Sequence, residues 1–311
     1  MTRRVVAQRY GGPEVLAVVD EDLPELAPGQ VRVDLRAIGV NPFDFKSYSG
    51  AFGDDPEKLP LSIGTEGAGV VAAVADEAVS PDGLLAVGTE VIVYPGTGMY
   101  AESVVVSATS VLVKPPSLAW EPAAGLLLTG VTAMDTLDTA ATGPDDVVLV
   151  HGASGGVGSA TVQLAVGRGA TVVGTASADN LDYVRGLGAI AVPYGSGLAD
   201  RVREAAPGPV TVAIDTAGTD EAVDVSVDLV ADRSRIVTIA AGAHADDAGI
   251  VRVGGPQSAA ARRAARQTVV ELAGSGALSV RIARTFSLDD AATAHRDLAQ
   301  PHPPGKFILL P

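Results

Sequence analysis

Gly152, Ser154, Gly155, Gly156 and Gly158 crowd into one short run, within residues 147–164, VVLVHGASGGVGSATVQL. Two chemistries fit that spacing. Glycines let a backbone approach a phosphate closely, and the first free N–H groups of a following helix attract an anion. On this reading Ser154, Gly155, Gly156 and Val157 form a pyrophosphate cradle. Gly152, Ser154 and Gly156 also spell G-x-S-x-G, the sharp turn that presents the nucleophilic serine of an α/β hydrolase. On that reading Ser154 attacks an acyl group, with His295 or His302 as base and Asp289 or Asp215 behind it.

The elements around the run separate the two. Residues 147–150 are a buried strand, and residues 156–168 a helix. Strands at 171–174, 190–193, 210–215 and 235–240 then alternate with helices at 180–187, 198–205 and 219–230. That alternation predicts a doubly wound parallel sheet in an α/β protein. A dinucleotide site also needs a ribose-recognising residue roughly 20 residues after the glycines. Thr175-Ala176-Ser177 stands there, without the carboxylate that would accept from a 2′-hydroxyl. Ser177 leaves room for a 2′-phosphate, and Asn180 and Tyr194 can donate hydrogen bonds to it, so the expected cofactor is NADP(H). No Arg or Lys follows Ser177 at once, and Asp179 sits where a cation would help. Thr216, Ala240 and Ala241 lie in further loops at strand C-termini and are expected on the same cofactor. A hydrolase would need sheet strands and an oxyanion loop ahead of its elbow, and the β-rich first part of the chain does not provide them.

That first part, residues 1 to about 120, carries short strands at 31–35, 67–74, 90–94 and 103–106, punctuated by Pro and Gly. Many short strands suggest a barrel. The pattern changes near Trp120, where residues 121–139 form a helix-length apolar stretch. After the α/β region come a helix at 257–274, a strand at 278–285, a helix at 288–298 and a last strand at 306–310.

Composition narrows the function classes. At 311 residues, 47% apolar, the chain can bury a large core. A net charge of −15, from 22 Lys+Arg against 37 Asp+Glu, gives nucleic acid no overall basic face. No apolar run approaches the ~20 residues that span a bilayer, and the stretch after Arg3-Arg4 runs into Ala7-Gln8-Arg9-Tyr10 rather than an apolar h-region, so neither membrane attachment nor a signal peptide is expected. There is no cysteine, which excludes disulfides and thiolate zinc sites and suits a cytoplasmic location. The four histidines, at 151, 244, 295 and 302, show no metal-binding spacing, so no metal is expected.

Several dispersed motifs occur in order: Gly39-Val40-Asn41-Pro42-x-Asp44, Gly64-x-Glu66-Gly67-Ala68-Gly69-Val70-Val71, Tyr100-Ala101-Glu102, Leu128-Thr129-Gly130, the 152–158 loop, and Gly305-Lys306-x-Ile308-Leu309. Together they resemble the medium-chain dehydrogenase/reductase superfamily, and within it the zinc-independent quinone oxidoreductase (zeta-crystallin-like) branch. The resemblance implies a GroES-like β-barrel catalytic domain over residues 1–121, completed by 275–311. A Rossmann NADP-binding domain would occupy 122–274, with the active site in the cleft. Zinc-dependent relatives place Cys in the first motif and G-H-E in the second. Here Asn41 and Gly64-Thr65-Glu66 stand instead, so no Lewis acid is available to polarise a carbonyl. Hydride transfer to a quinone or to the C=C of an α,β-unsaturated carbonyl remains, where the substrate carries its own electron sink.

The resemblance also implies roles. Asn41 would lie beside the nicotinamide, Thr129 would bond its amide, and Lys306 would lie near the cofactor. Lys46 stands where many quinone reductases carry Tyr, and its ammonium could stabilise an enolate and relay a proton. Against that, Lys46 could be an ordinary solvated lysine. Tyr48 could reach the cleft, although packing explains it as well. Asp44 could cap a helix or touch ligand. Phe52 replaces the catalytic Tyr of mitochondrial-type enoyl reductases. A biosynthetic enoyl or ketide reductase is the nearest alternative, followed by a nucleotide-binding sensor without catalysis and the serine hydrolase. Relatives are often homodimers paired through sheet edges, and residues 250–253 are the expected edge.

Overall fold

The computed structural model describes residues 1–311. The chain divides into two compact units. The first comprises Met1–Leu128, Ala273–Ser275 and Val280–Pro311; the second comprises Thr129–Leu272 and Gly276–Ser279.

The centre of the first unit is the strand Gln30–Val40. Val31, Val33, Leu35 and Ala37 are buried at alternate positions, as a strand with one covered face requires. It pairs antiparallel with Gly67–Val74, Ser103–Ser107 and the C-terminal strand Lys306–Leu310. Phe307 lies opposite Val40, so the tail brings Lys306 beside Asn41. Gly39 is obligatory here. A Cβ at that position would lie 2.6 Å from Glu66 Oε1 and 2.7 Å from the Ala124 carbonyl.

A second, three-stranded sheet joins Leu16–Glu21, Thr2–Ala7 and Leu61–Ser62. The first two strands escape a reading of the sequence because Arg3, Arg4 and the half-exposed residues 16–19 blur their alternation. Asn41-Pro42 opens the helix Pro42–Tyr48. Pro42 needs no N–H donor at the first helical position, and Asp44 accepts from the Asn41 N–H at 2.9 Å.

The apolar stretch 121–139 is two helices, Trp120–Ala124 and Leu127–Thr139, parted at Gly125. The shorter one packs on Gln30–Val40 and Gly67–Val74, so the first unit runs on to Leu128, past the expected boundary at 121.

The second unit carries a six-stranded parallel sheet. Its order is Ile190–Pro193, Thr171–Ala176, Val147–His151, Val212–Asp215, Ile236–Thr238 and Val251–Arg252. The first strand in sequence is central and the chain winds outward to both sides, the doubly wound pattern. The expected edge at 250–253 is an edge, though the strand is only Val251–Arg252. No helix is long and apolar enough to cross a membrane.

Candidate functional site

In the second unit, the strand Val147–His151 runs into Gly152, whose φ of +72° suits glycine. The loop then folds against the helix Gly156–Gly167 so tightly that a Cβ on Gly158 would sit 2.1 Å from the Gly152 carbonyl. The helix is capped by Gly155, which has no side chain to offer the first-turn N–H groups. Gly156 and Val157 thus present backbone donors at the positive end of a helix, a fit for a pyrophosphate.

Asn180 and Thr216 bond this segment directly, and the other expected residues stand at neighbouring strand ends. Asn180 Nδ2 donates to Ser154 Oγ at 3.5 Å. Ser177 follows directly on the strand Thr171–Ala176 and is half-buried. Tyr194 is 58% exposed, and its N–H donates to the Ala176 carbonyl at 3.2 Å, which fixes it beside the same strand end. Thr216 Oγ1 donates to the His151 carbonyl at 2.6 Å. Ala240 and Ala241 N–H groups donate to Thr238 Oγ1, which in turn donates to Asp215 Oδ2 at 2.7 Å. Asp215 Oδ1 accepts from the N–H groups of Ala217 and Gly218, both at 2.9 Å. One buried carboxylate therefore ties two loops together, a role the sequence did not reveal for Asp215. Thr129 is buried at the start of this unit.

The serine reading finds no base within this unit. His151 is buried with Nε2 3.1 Å from Ser226 Oγ, and burial pulls its pKa down to about 4, Asp215 opposing. His244 pairs with Asp224.

The first unit holds a buried polar cluster. Lys306 Nζ donates to the Val40 carbonyl at 3.1 Å, to Glu66 Oε1 at 3.0 Å and to Asn41 Oδ1. Asn41 Nδ2 donates to Glu66 Oε1 at 3.1 Å, and Glu66 Oε2 accepts from the Leu128 N–H at 2.8 Å. An ammonium has three protons, and all three of Lys306 are engaged within the chain. Asn41 likewise commits both ends of its amide. These two side chains, expected beside the cofactor, brace the first unit from within.

Asp44 lies next to them. Its Oδ2 accepts from the Asn41 N–H and from the Tyr100 hydroxyl at 3.2 Å, and its Oδ1 accepts from the Thr65 hydroxyl at 3.2 Å. Burial pushes its pKa up to about 7, against the pull of Lys306 and the Asn41 N–H. Beyond Tyr100, His295 lies between two phenols, Nε2 at 2.9 Å from Tyr100 and Nδ1 at 2.8 Å from Tyr48. Burial lowers His295 to about 4 and raises both tyrosines well above their usual range. Tyr48 is fully buried, so the expectation that it meets substrate is corrected: it packs in the core and orients His295.

Lys46 is the opposite case. Of the four lysines, Lys58 pairs with Asp55, Lys114 with Glu90 and Lys306 with Glu66; Lys46 is exposed and its ammonium has no partner. It shares the helix with exposed Phe43 and Phe45, and the Phe43 ring lies 5.5 Å from that of Phe52. The sequence assigns no role to Glu66 or Tyr100 and offers His295 only as the base of the serine reading. Only Glu66 left a signal, an acid among Gly64, Gly67 and an apolar strand.

A β-rich unit completed by the C-terminal strand, with a doubly wound sheet between, defines a two-domain nucleotide-dependent dehydrogenase architecture. Comparison with known proteins agrees. Residues 27–116 match the alcohol dehydrogenase GroES-like domain, and residues 187–309 match a family described as zinc-binding dehydrogenase. A quinone oxidoreductase of Pseudomonas aeruginosa is 31% identical over 334 residues, covering all of both chains. The Escherichia coli quinone oxidoreductase, solved with NADPH, superimposes with a TM-score of 0.85 at 27% identity, over 99% of this chain and 100% of that one. A mycobacterial protein, also solved with NADPH, gives a TM-score of 0.87 at 28% identity, with both chains fully covered. A polyketide synthase of Streptomyces halstedii is 42% identical over 166 residues, which is 52% of this chain and 3% of that protein. The chain belongs to the medium-chain dehydrogenase/reductase superfamily, and within it to the quinone oxidoreductases.

Proposed function

We propose that the protein is an NADPH-dependent, zinc-free reductase of quinones or of the C=C bond of α,β-unsaturated carbonyls. The observation that carries this reading is the uncapped helix start at Gly155–Val157, beside a strand end that offers Ser177, Asn180 and Tyr194 rather than a ribose-binding carboxylate. Bound NADPH supplies the hydride. Gly155, Gly156 and Val157 would hold its pyrophosphate together with Ser154 and Asn180; Ser177 and Tyr194 would bind the 2′-phosphate; Thr216, Ala240, Ala241 and Thr129 would line the rest.

The Lys46 ammonium, free of any internal partner, stabilises negative charge on the acceptor oxygen. Zinc chemistry is disfavoured by the donor set. Asn41 Oδ1 already accepts from the Lys306 ammonium, and the Thr65 hydroxyl donates to Asp44. The polyketide synthase similarity favours one second reading, a ketide or enoyl reductase of a biosynthetic pathway. Phe52, exposed and without a proton to give, argues against the tyrosine mechanism of enoyl reductases. A cytoplasmic homodimer paired through Val251–Arg252 completes the reading.

Steady-state oxidation of NADPH and NADH with quinones, enones and enoyl thioesters tests it. The expected result is turnover of quinones or enones with a kcat/KM for NADPH at least about tenfold above NADH, a difference of about 1.4 kcal/mol. Tight NADPH binding with no turnover on any acceptor would instead mark a non-catalytic sensor.

A further inference from the structure

The donors around Asp44 are divided unequally. Oδ2 receives two, the Asn41 N–H and the Tyr100 hydroxyl; Oδ1 receives one, the Thr65 hydroxyl. The backbone donor cannot turn away, and the phenol is held from behind. A neutral imidazole has one N–H and one lone pair. With Nε2–H donating to Tyr100, the His295 Nδ1 lone pair accepts from Tyr48, and every donor runs one way, Tyr48 to His295 to Tyr100 to Asp44. Reversing the chain would leave the Tyr48 hydroxyl proton without an acceptor in a core where that residue is fully buried, a costly arrangement. Oδ2 is thereby kept an acceptor, and a proton on Asp44 falls to Oδ1; in that state the 3.2 Å contact reverses, Oδ1–H donates to Thr65 Oγ1, and the Thr65 O–H is freed to donate elsewhere. Thr65 is half-buried, while Asn41, Asp44, Glu66, Tyr100 and His295 are all buried. The charged groups facing Asp44 are Lys306 and Glu66; Tyr48, Tyr100 and His295 are its neutral titratable neighbours.

We propose that Asp44 stores the proton of the reductive half-reaction and releases it from Oδ1 through the Thr65 hydroxyl, with Tyr48, His295 and Tyr100 as positioning residues that keep Oδ2 an acceptor. The acceptor's identity rests on the reductase reading above. After hydride transfer the reduced substrate carries a new electron pair on oxygen or on the α-carbon. The Thr65 O–H bond breaks as its proton joins that pair. The Asp44 Oδ1–H bond breaks in turn, and its proton re-forms the Thr65 hydroxyl. Asp44 is left a carboxylate and regains one proton from solvent, and no further electrons move.

Infrared difference spectra of the whole protein, with the pH stepped through neutrality, test the placement. The carbonyl band of a protonated carboxyl is expected to disappear with a midpoint of about 7 and to be missing in Asp44→Asn. Because the carbonyl oxygen is Oδ2, Tyr100→Phe removes one of its donors and raises the band's frequency, whereas Thr65→Val, which removes only the acceptor of the Oδ1 proton, shifts it less. A band that responds to Thr65→Val and not to Tyr100→Phe puts the proton on the other oxygen and overturns the proposal, as does the absence of any titrating band. For the release path, Thr65→Val is expected to lower kcat about a hundredfold, the scale of general acid catalysis, with the KM for NADPH unchanged and most of the loss restored by Thr65→Ser. An unaltered kcat in Thr65→Val overturns that path. If the wild-type protein turns over no acceptor, the reductase reading fails, while the infrared spectra still decide where the proton sits.

Discussion

Lys306 and Lys46 show how differently one residue type can be used in a single chain. Lys306 is 6% exposed, bonded through all three of its protons, and its carboxylate partner Glu66 is 0% exposed. Removing one half of such a pair strands the other charge in a dry interior. Lys306→Met is therefore expected to destabilise the protein by about 3–5 kcal/mol, read from urea unfolding. The double variant Lys306→Met with Glu66→Gln should recover part of that loss, because no bare charge remains. Lys46→Ala should leave stability within about 0.5 kcal/mol, as surface changes do, and lower enone turnover more than NADPH affinity. Unchanged turnover in that variant removes Lys46 from the chemistry. Neither lysine's role could be assigned from its type. The partner of Lys306 lies 240 positions away in sequence, and saturation of its donors becomes visible only once the last strand is laid beside Val40.

At the scale of elements, the strand–loop–helix at residues 147–167 was legible because each part obeys a local rule: an apolar run, glycines at a tight crossing, then a helix whose start lacks a side-chain cap. The helix Pro42–Tyr48 was only half legible. A cap at Asp44 can be read from the sequence, but a short helix with three outward aromatic or basic residues has no apolar stripe to reveal it. The break at Gly125 was invisible, since it follows from packing: a Cβ there would lie 3.0 Å from Lys306 Cε. The loop makes its own prediction. Gly158→Ala would drive a methyl to 2.1 Å from the Gly152 carbonyl, so the loop must move away from the helix. NADPH affinity by calorimetry should fall at least about tenfold. Gly186→Ala is the matching control. It lies at the end of the helix Leu181–Gly186 with open space around it, so it should bind NADPH normally and gain up to about 1 kcal/mol of stability.

For the whole molecule, the β-rich, α/β and returning-tail organisation could be read from where periodicity changes, because patterning reports layers even when single strands are missed. Electrostatic consequences could not, because they depend on burial in the folded chain. His151 and His295 are held neutral, with pKa values of about 4 in the fold against 6.5 when unfolded. Between those values the unfolded chain binds about two more protons at these positions, which makes the fold lose stability as pH falls. Asp44 acts oppositely. Its pKa is about 7 folded and 3.8 unfolded, so the fold holds the extra proton and loses stability as pH rises through 7. His244 leans the same way as Asp44, but it is exposed beside Asp224 and solvent screens it. The net difference is about one proton, which corresponds to about 1.4 kcal/mol of stability lost per pH unit on acidification from about 6.5 toward 4. Urea midpoints measured at pH ~6 and ~5 should differ accordingly, with maximal stability near pH 6.5. Asp44→Asn removes the opposing group, so its slope over the same interval should roughly double. An equal slope in the two proteins would mean that Asp44 is ionised throughout this range.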